Sequence, residues 1–177
     1  FLNFIENITP KDGDLTNPSW GPIKRLKTPD GEVYRIQAGY NGSTQGPNEK
    51  TWGYTMVSVA DWDGDGVLDI MHNNIWGKVL WHKGIKGSTD TIGYAQPVEV
   101  EWSGETPKPE WLWWNPEGDE LVTQWRTTPF MVDLPLDEDG DGVAEGDGLM
   151  DLVMMDHEGY LAFYQRYQDS NGVLKLK

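Results

Sequence analysis

The sequence predicts an all-β fold, and three observations carry that expectation. Short stretches alternate apolar and polar residues, the period of a strand with one face on a core. Turn formers separate them, with 21 Gly and 11 Pro spread along the chain. No segment keeps a 3.6-residue apolar period over three turns, so helices are not expected.

Each predicted element follows from that pattern. Residues 32–37 alternate after a Pro29-Asp30-Gly31 turn. Residues 54–60 and 70–72 flank an acidic, Gly-rich turn and read as two arms of a hairpin. Residues 77–82 and 98–102 alternate cleanly, and 120–126, 130–133, 150–155 and 160–165 complete the set. Residues 172–177 alternate like a strand that continues beyond Lys177. No signal-peptide pattern follows Phe1, and both ends are expected to be cut from something longer.

Composition narrows the function classes. A chain of 177 residues can form one domain with a real core. Its 14 basic and 29 acidic side chains give a net charge of −15, which argues against nucleic-acid or anionic-membrane partners. The absence of cysteine excludes a disulfide framework but not secretion. No run approaches the roughly 18 apolar residues of a membrane span. Ten Trp, seven Tyr and four Phe exceed what one small core needs. Such rings stack on sugar C–H faces, and they serve equally as packing between sheets.

The densest chemistry lies in Asp61-Trp-Asp-Gly-Asp-Gly-Val-Leu-Asp69, with carboxylates at positions 1, 3, 5 and 9 of a tight loop. Ca²⁺ takes about six to eight oxygen ligands, and alternating acids in a turning backbone supply them. Asp61, Asp63, Asp65 and Asp69 are expected to ligate through side chains and Val67 through its carbonyl. His72 stands where an EF-hand would place its bidentate Glu, and strand-like segments flank the loop. A Ca²⁺ loop inside a β-hairpin is therefore expected.

The pattern recurs. Strand, acidic loop, strand, short loop and strand occupy 54–83 and again 128–167. The second acidic loop carries an insertion. Asp137, Asp139, Asp141 and Glu145 reproduce the 1-3-5-9 spacing, and Asp147 to Asp151 supply a second ending in register with the next strand; Asp133, at the end of the preceding strand, is a further candidate ligand. It reads as a doubled Ca²⁺ loop, and the spacing leaves open which carboxylates share one ion.

At these residues the chain resembles the FG-GAP (VCBS-type) repeats of integrin-α-like β-propellers, whose blades carry D-x-D-x-D-G-x-x-D between their first two strands. Asp61 to Asp69 matches at every ligand position; the second copy matches once the insertion is allowed. The resemblance implies four-stranded blades with structural Ca²⁺. The 177 residues would then hold about three blades of a ring of roughly seven or eight, with the remaining blades elsewhere in a longer chain. Residues 37–42, 75–77, 120–129 and 156–160 are also similar to secreted bacterial propellers that process polysaccharides, such as ulvan lyases, rhamnogalacturonan lyases and gum rhamnosidases. That similarity implies a secreted, periplasmic or cell-surface protein acting on an acidic glycan.

In such a blade the acidic loops lie at one face and the turns joining the second and third strands at the other. The second face would gather Tyr40, Asn41, Asn73, Asn74 and Glu158 for sugar hydroxyls, and Trp52, Trp76 and Trp125 for stacking. Lys50 and Arg126 would hold a uronate carboxylate, Arg126 in a bidentate fork. His157, with an ordinary value of about 6.5, would exchange protons near neutrality. Elimination at a uronate would use Arg126 to neutralise the carboxylate, His157 as base and Tyr40 as acid. Glycoside hydrolysis would draw on Glu49, Asp156 and Glu158, and a non-catalytic glycan- or protein-binding propeller is the reading from another class. His72 reads as a packed residue and His82 as an exposed strand end.

Overall fold

In a computed structural model, described over residues 2–35, 53–86, 93–110, 112, 114–137 and 140–177, every regular element is a strand. Four small antiparallel sheets form. β1 (Asn3–Phe4) pairs with β2 (Lys24–Arg25). β3 (Met56–Ala60), β4 (Asp69–Asn73), β5 (Val79–His82) and β6 (Val98–Glu99) form a four-stranded meander in sequence order. β7 (Phe130–Val132), β8 (Asp151–Met155) and β9 (Leu161–Tyr164) repeat its first three strands. β10 (Arg166–Gln168) and β11 (Leu174–Leu176) close a C-terminal hairpin, so the alternation at the end of the chain finds its partner locally.

The register makes the two repeats equivalent. Ala60 pairs with Asp69 across the mouth of the first acidic loop, and Val132 pairs with Asp151 across the mouth of the second. Both acidic loops therefore sit inside β-hairpins, as the alternation on either side of them predicts.

Two expected strands do not form among the described residues. Residues 32–35 contribute a single bridge, Val33 to Lys27, and residues 36 and 37 lie outside the described residues. Residues 120–126 make isolated bridges to three different partners: Glu120 to Glu101, Val122 to Lys78 and Thr123 to Asp156. Alternation there reports a segment wedged between elements rather than one side of a ladder. It ends at Arg126, whose φ of 60° leaves the β region.

β4 is buried along its whole length. Its side chains alternate between two layers, as strand geometry requires. On one side Met71 joins Trp62, Val79, Leu121, Leu152 and Met154 in a core shared by both repeats. On the other, Ile70 packs with Leu2, Leu26, Phe4, Tyr34 and Tyr94. Complete burial of side chains such as Met71 and Leu152 contributes about 1.5–3 kcal/mol each. A strand held on both faces fixes the two things at its ends, the acidic loop before Asp69 and the turn after Asn73.

Candidate metal centre and the opposite end of the repeats

The first acidic loop is wound around its own carboxylates. Gly64 and Gly66 take φ of 74° and 84°, values that a side chain would strain, and so turn the backbone twice within the loop. Asp61 accepts the Asp65 N–H at 3.1 Å and the Gly66 N–H at 2.8 Å, and Asp65 accepts the Val67 N–H at 2.9 Å. Carboxylate oxygens of Asp61, Asp63 and Asp65 consequently lie within 4.8 Å of one another. One oxygen of Asp63 is buried with no hydrogen-bond partner. Converging hard oxygen donors match the chemistry of the alkaline-earth cations, so these three residues can hold a metal ion such as Ca²⁺.

Asp69 stands apart from that cluster. It is completely buried, with one oxygen accepting the Trp62 N–H at 3.0 Å and the other the Gly84 N–H at 2.6 Å. It ties the start of the loop to the chain beyond β5. Burial pushes its carboxyl above the ordinary range, against the opposing pull of those hydrogen bonds.

Lys83 completes the first loop, and nothing in the alternation pattern announces it. Its ammonium is paired with Asp63 and lies 2.8 Å from Asp65. Hydrogen bonding from Lys83, reinforced by the Val67 N–H, holds the Asp65 carboxyl below its ordinary value. Donating hydrogen bonds to Asp63 and Asp65 in turn raises the value of Lys83. The position directly after β5 is the available clue, since the Gly84 N–H bond to Asp69 draws that segment under the loop.

The second loop reproduces this wiring twice. Asp151 accepts N–H groups from Leu134 at 3.2 Å and Arg166 at 2.8 Å, as Asp69 does from Trp62 and Gly84. Asp133 accepts the Gly148 N–H at 3.2 Å, and Asp147 the Leu149 N–H at 2.8 Å, as Asp61 and Asp65 do with Gly66 and Val67. Asp133, Asp147 and Asp151 thus hold positions 1, 5 and 9 of the first loop. Within the insertion, Asp137 accepts Gly140 and Gly142 N–H groups at 2.7 and 3.0 Å, and Asp141 accepts Val143 at 2.8 Å. A backbone ladder between Leu136 and Glu145 pinches this inner turn closed. The described residues of the insertion therefore form a turn of the same kind nested in a loop of the same kind. Asp139 lies outside the described residues.

At the other ends of β4 and β8 the chain brings most of the remaining expected residues together. Segment 123–127 bonds both turns. The Gln124 amide donates to the His157 carbonyl at 2.7 Å, and its backbone N–H to the Asp156 carbonyl at 3.0 Å. Asn73 donates to Thr123 Oγ1 at 2.9 Å and the Gln124 carbonyl at 3.1 Å, and accepts the Thr127 N–H at 3.1 Å. Asn74 accepts the Trp76 N–H at 2.9 Å. Asn73 and Asn74 are both buried, so they are placed as structural ties rather than as open donors for sugar hydroxyls.

Trp76, Trp125, Arg126 and His157 are half-buried at this end, and Glu158 is exposed. The Arg126 guanidinium lies 3.9 Å from the centre of the Tyr54 ring and 5.6 Å from that of Trp125. Tyr54 and Arg126, with φ of 45° and 60°, are the two non-Gly residues in the left-handed region among the described residues, and they touch. Strained backbone of this kind persists where surrounding structure enforces it, and such positions cluster at functional sites. Tyr54 escapes sequence reasoning because its partner is distant in the chain. Tyr40, Asn41, Lys50 and Trp52 lie outside the described residues, as does Glu49.

A five-residue strand separates the two ends by roughly 13–17 Å, so a cation among Asp61, Asp63 and Asp65 would not touch a ligand beside Arg126. No protein-family model, curated protein sequence or solved structure matches the chain.

Proposed function

We propose that this chain forms consecutive blades of a calcium-stabilised propeller of the FG-GAP type, acting on an acidic polysaccharide at the end opposite its acidic loops. The meander β3–β6, its partial copy β7–β9 and the side-by-side packing of β3 with β7 support the blade assignment. The equivalent roles of Asp69 and Asp151 support a common origin for the two loops. In this reading Asp61, Asp63, Asp65 and the Val67 carbonyl hold Ca²⁺ in the first loop, and its charge offsets theirs and holds the turn closed. Asp133 and Asp147, with Asp137, Asp141 and Glu145, do the same in the second, while Asp151 ties the loop to the backbone as Asp69 does.

The observation that carries the glycan assignment is the Arg126 guanidinium over the Tyr54 ring and near Trp125. Flat rings beside a fork of donors recognise a sugar bearing a carboxylate. Elimination needs that carboxylate neutralised, a base for the adjacent carbon-bound proton and an acid for the departing oxygen. Arg126 takes the first role, His157 the second and Tyr40 the third. Product formation is read from the ultraviolet absorbance of the unsaturated uronate during incubation with polygalacturonate, alginate and ulvan. Arg126→Gln is expected to abolish the signal while leaving the melting temperature within about 2 °C. Absence of absorbance with all three polymers would refute the lyase reading.

One observation favours a second reading, a non-catalytic glycan-binding platform. Asn73 and Asn74 are consumed by internal bonds, and the described residues offer a stacked cation more readily than a proton-transfer pair. Retention of a uronate polymer without turnover, lost in Arg126→Gln, identifies that platform. Reducing-sugar release without unsaturated product identifies hydrolysis.

A further inference from the structure

His72 and His82 are the most deeply buried titratable bases of the first repeat, and neither acts in the site described above. They project from β4 and β5 on the face opposite Met71 and Asp69, beside Ile70. Their rings lie 5.0 Å apart between centroids, and both side chains are essentially inaccessible, at 0% and 2% of their surface. His72 Nδ1 and His82 Nε2 are buried without a hydrogen-bond partner. Covering them is the N-terminal layer, in which Tyr34 meets His82 edge-on at 4.4 Å and places its hydroxyl 3.4 Å from His72 Nε2. Leu2, Leu26 and Tyr94 build the rest of the layer here, with Lys27 and Thr28 also lining it.

The charged and titratable groups around the pair are few. From the N-terminal layer they are Tyr34 and Lys27, and from the segment after β5 Tyr94; β3 presents Val57 and Val59. Asp69 points to the other face of β4, with its oxygens taken by Trp62 and Gly84. No carboxylate among the described residues is placed to compensate an imidazolium in this layer. Burial depresses His72 to about 3, the neighbouring His82 adding to the effect, and burial depresses His82 to about 4.

We infer that His72 and His82 form an acid-sensitive latch that holds residues 2–34 on the first repeat while both rings are neutral and releases them when the rings are protonated. The first proton puts a charge into a buried layer, and a second would stand beside it. Opening the layer hydrates both. The sign follows from linkage: both groups have folded values below the ordinary imidazole value of about 6.5, so the open form binds more protons. The closed form is fully favoured above that value and loses ground as pH falls towards the folded values. Carboxyls ordinarily titrate near 3.9 to 4.3, and burial raises Asp69 and Asp151; a raised carboxyl binds more protons in the closed form, so its effect on opening is opposite in sign to that of the pair.

The test is hydrogen exchange read by mass spectrometry on the 177-residue chain with Ca²⁺ present, corrected for the intrinsic pH dependence of exchange. Close to two protons taken up on opening make the opening equilibrium of residues 24–34 rise about 60-fold between pH 5.5 and 4.5. Protection of 151–164 is expected to change less than threefold over the same interval. His82→Phe should cut the slope to about tenfold per unit. If that variant fails to fold, the wild-type slope decides alone. A pH-independent opening of 24–34, or loss of protection at 24–34 and 151–164 in parallel, would overturn the latch.

Discussion

Replacing Asn73 by Ala separates a structural tie from a ligand-binding side chain. The Asn73 amide and carbonyl make three hydrogen bonds inside the protein, and the residue is completely buried. Their loss is not uniform. Thr123 Oγ1 retains the Gly77 carbonyl at 3.2 Å, and the Gln124 carbonyl retains the Thr127 hydroxyl at 3.1 Å. Each of those two bonds therefore contributes about 1 kcal/mol. The Thr127 N–H loses its acceptor, which costs about 1–3 kcal/mol. The sum is about 3–5 kcal/mol before any cavity left by the missing amide. For a chain of this size each kcal/mol lowers the melting temperature by about 2–4 °C. A calorimetric melt of Asn73→Ala with Ca²⁺ present is expected to fall by at least 6 °C. The double variant Asn73→Ala, Thr123→Ala should fall by less than the sum of the single changes, because the two share a bond. A melting temperature within 2 °C of wild type would refute this assignment and return Asn73 to the ligand face.

The remaining predictions concern the acidic loops. Chelation by EDTA should lower the melting temperature markedly, and Asp65→Ala should reproduce part of that fall while making the protein less responsive to EDTA; an unchanged melt on chelation removes the calcium assignment. Lys83→Gln removes the ammonium paired with Asp63 and Asp65, so calorimetric titration should show tighter Ca²⁺ binding; unchanged affinity would mean that Lys83 does not compete with the ion. Sodium chloride at high concentration should shrink that difference, since the pair is partly exposed.

The features legible in the sequence are those whose partners are close along the chain. The acidic loops, their hairpins and the repeat could all be read, because a Gly-Asp alternation and a two-residue period are local signals. The buried state of Asp69 was not among them: the same letter serves a cation or two backbone N–H groups, and the Gly84 N–H decides. Alternation at 120–126 predicts a strand that the chain does not form there, because alternation reports two environments, not a continuous partner. His82, followed by Lys83 and Gly84, looks like an exposed strand end, yet the N-terminal layer covers it from about fifty residues away. Tyr54 with Arg126, and Arg166 with Trp62, are contacts of long sequence separation and leave no periodic trace.

Arg166 shows why the two acidic loops should be regarded as one structure rather than two independent clamps. Its N–H bonds Asp151 of the second loop at 2.8 Å, while its guanidinium donates to the Trp62 carbonyl of the first and lies 4.3 Å from the Trp62 ring centre. Burial lowers its value, and Asp63, Asp69 and Asp151 oppose that, so this one buried cation is held by acids from both repeats. Trp62, the second residue of the first loop, is itself in the shared core. A first loop that unwinds must therefore withdraw Trp62 from the core and its carbonyl from Arg166. The effect reaches Asp151 through one residue's backbone. Arg166 bears this load because its counterpart in the first repeat, Gly84, supplies only an N–H. The repeats are equivalent in wiring and unequal in side chains, and that inequality joins them.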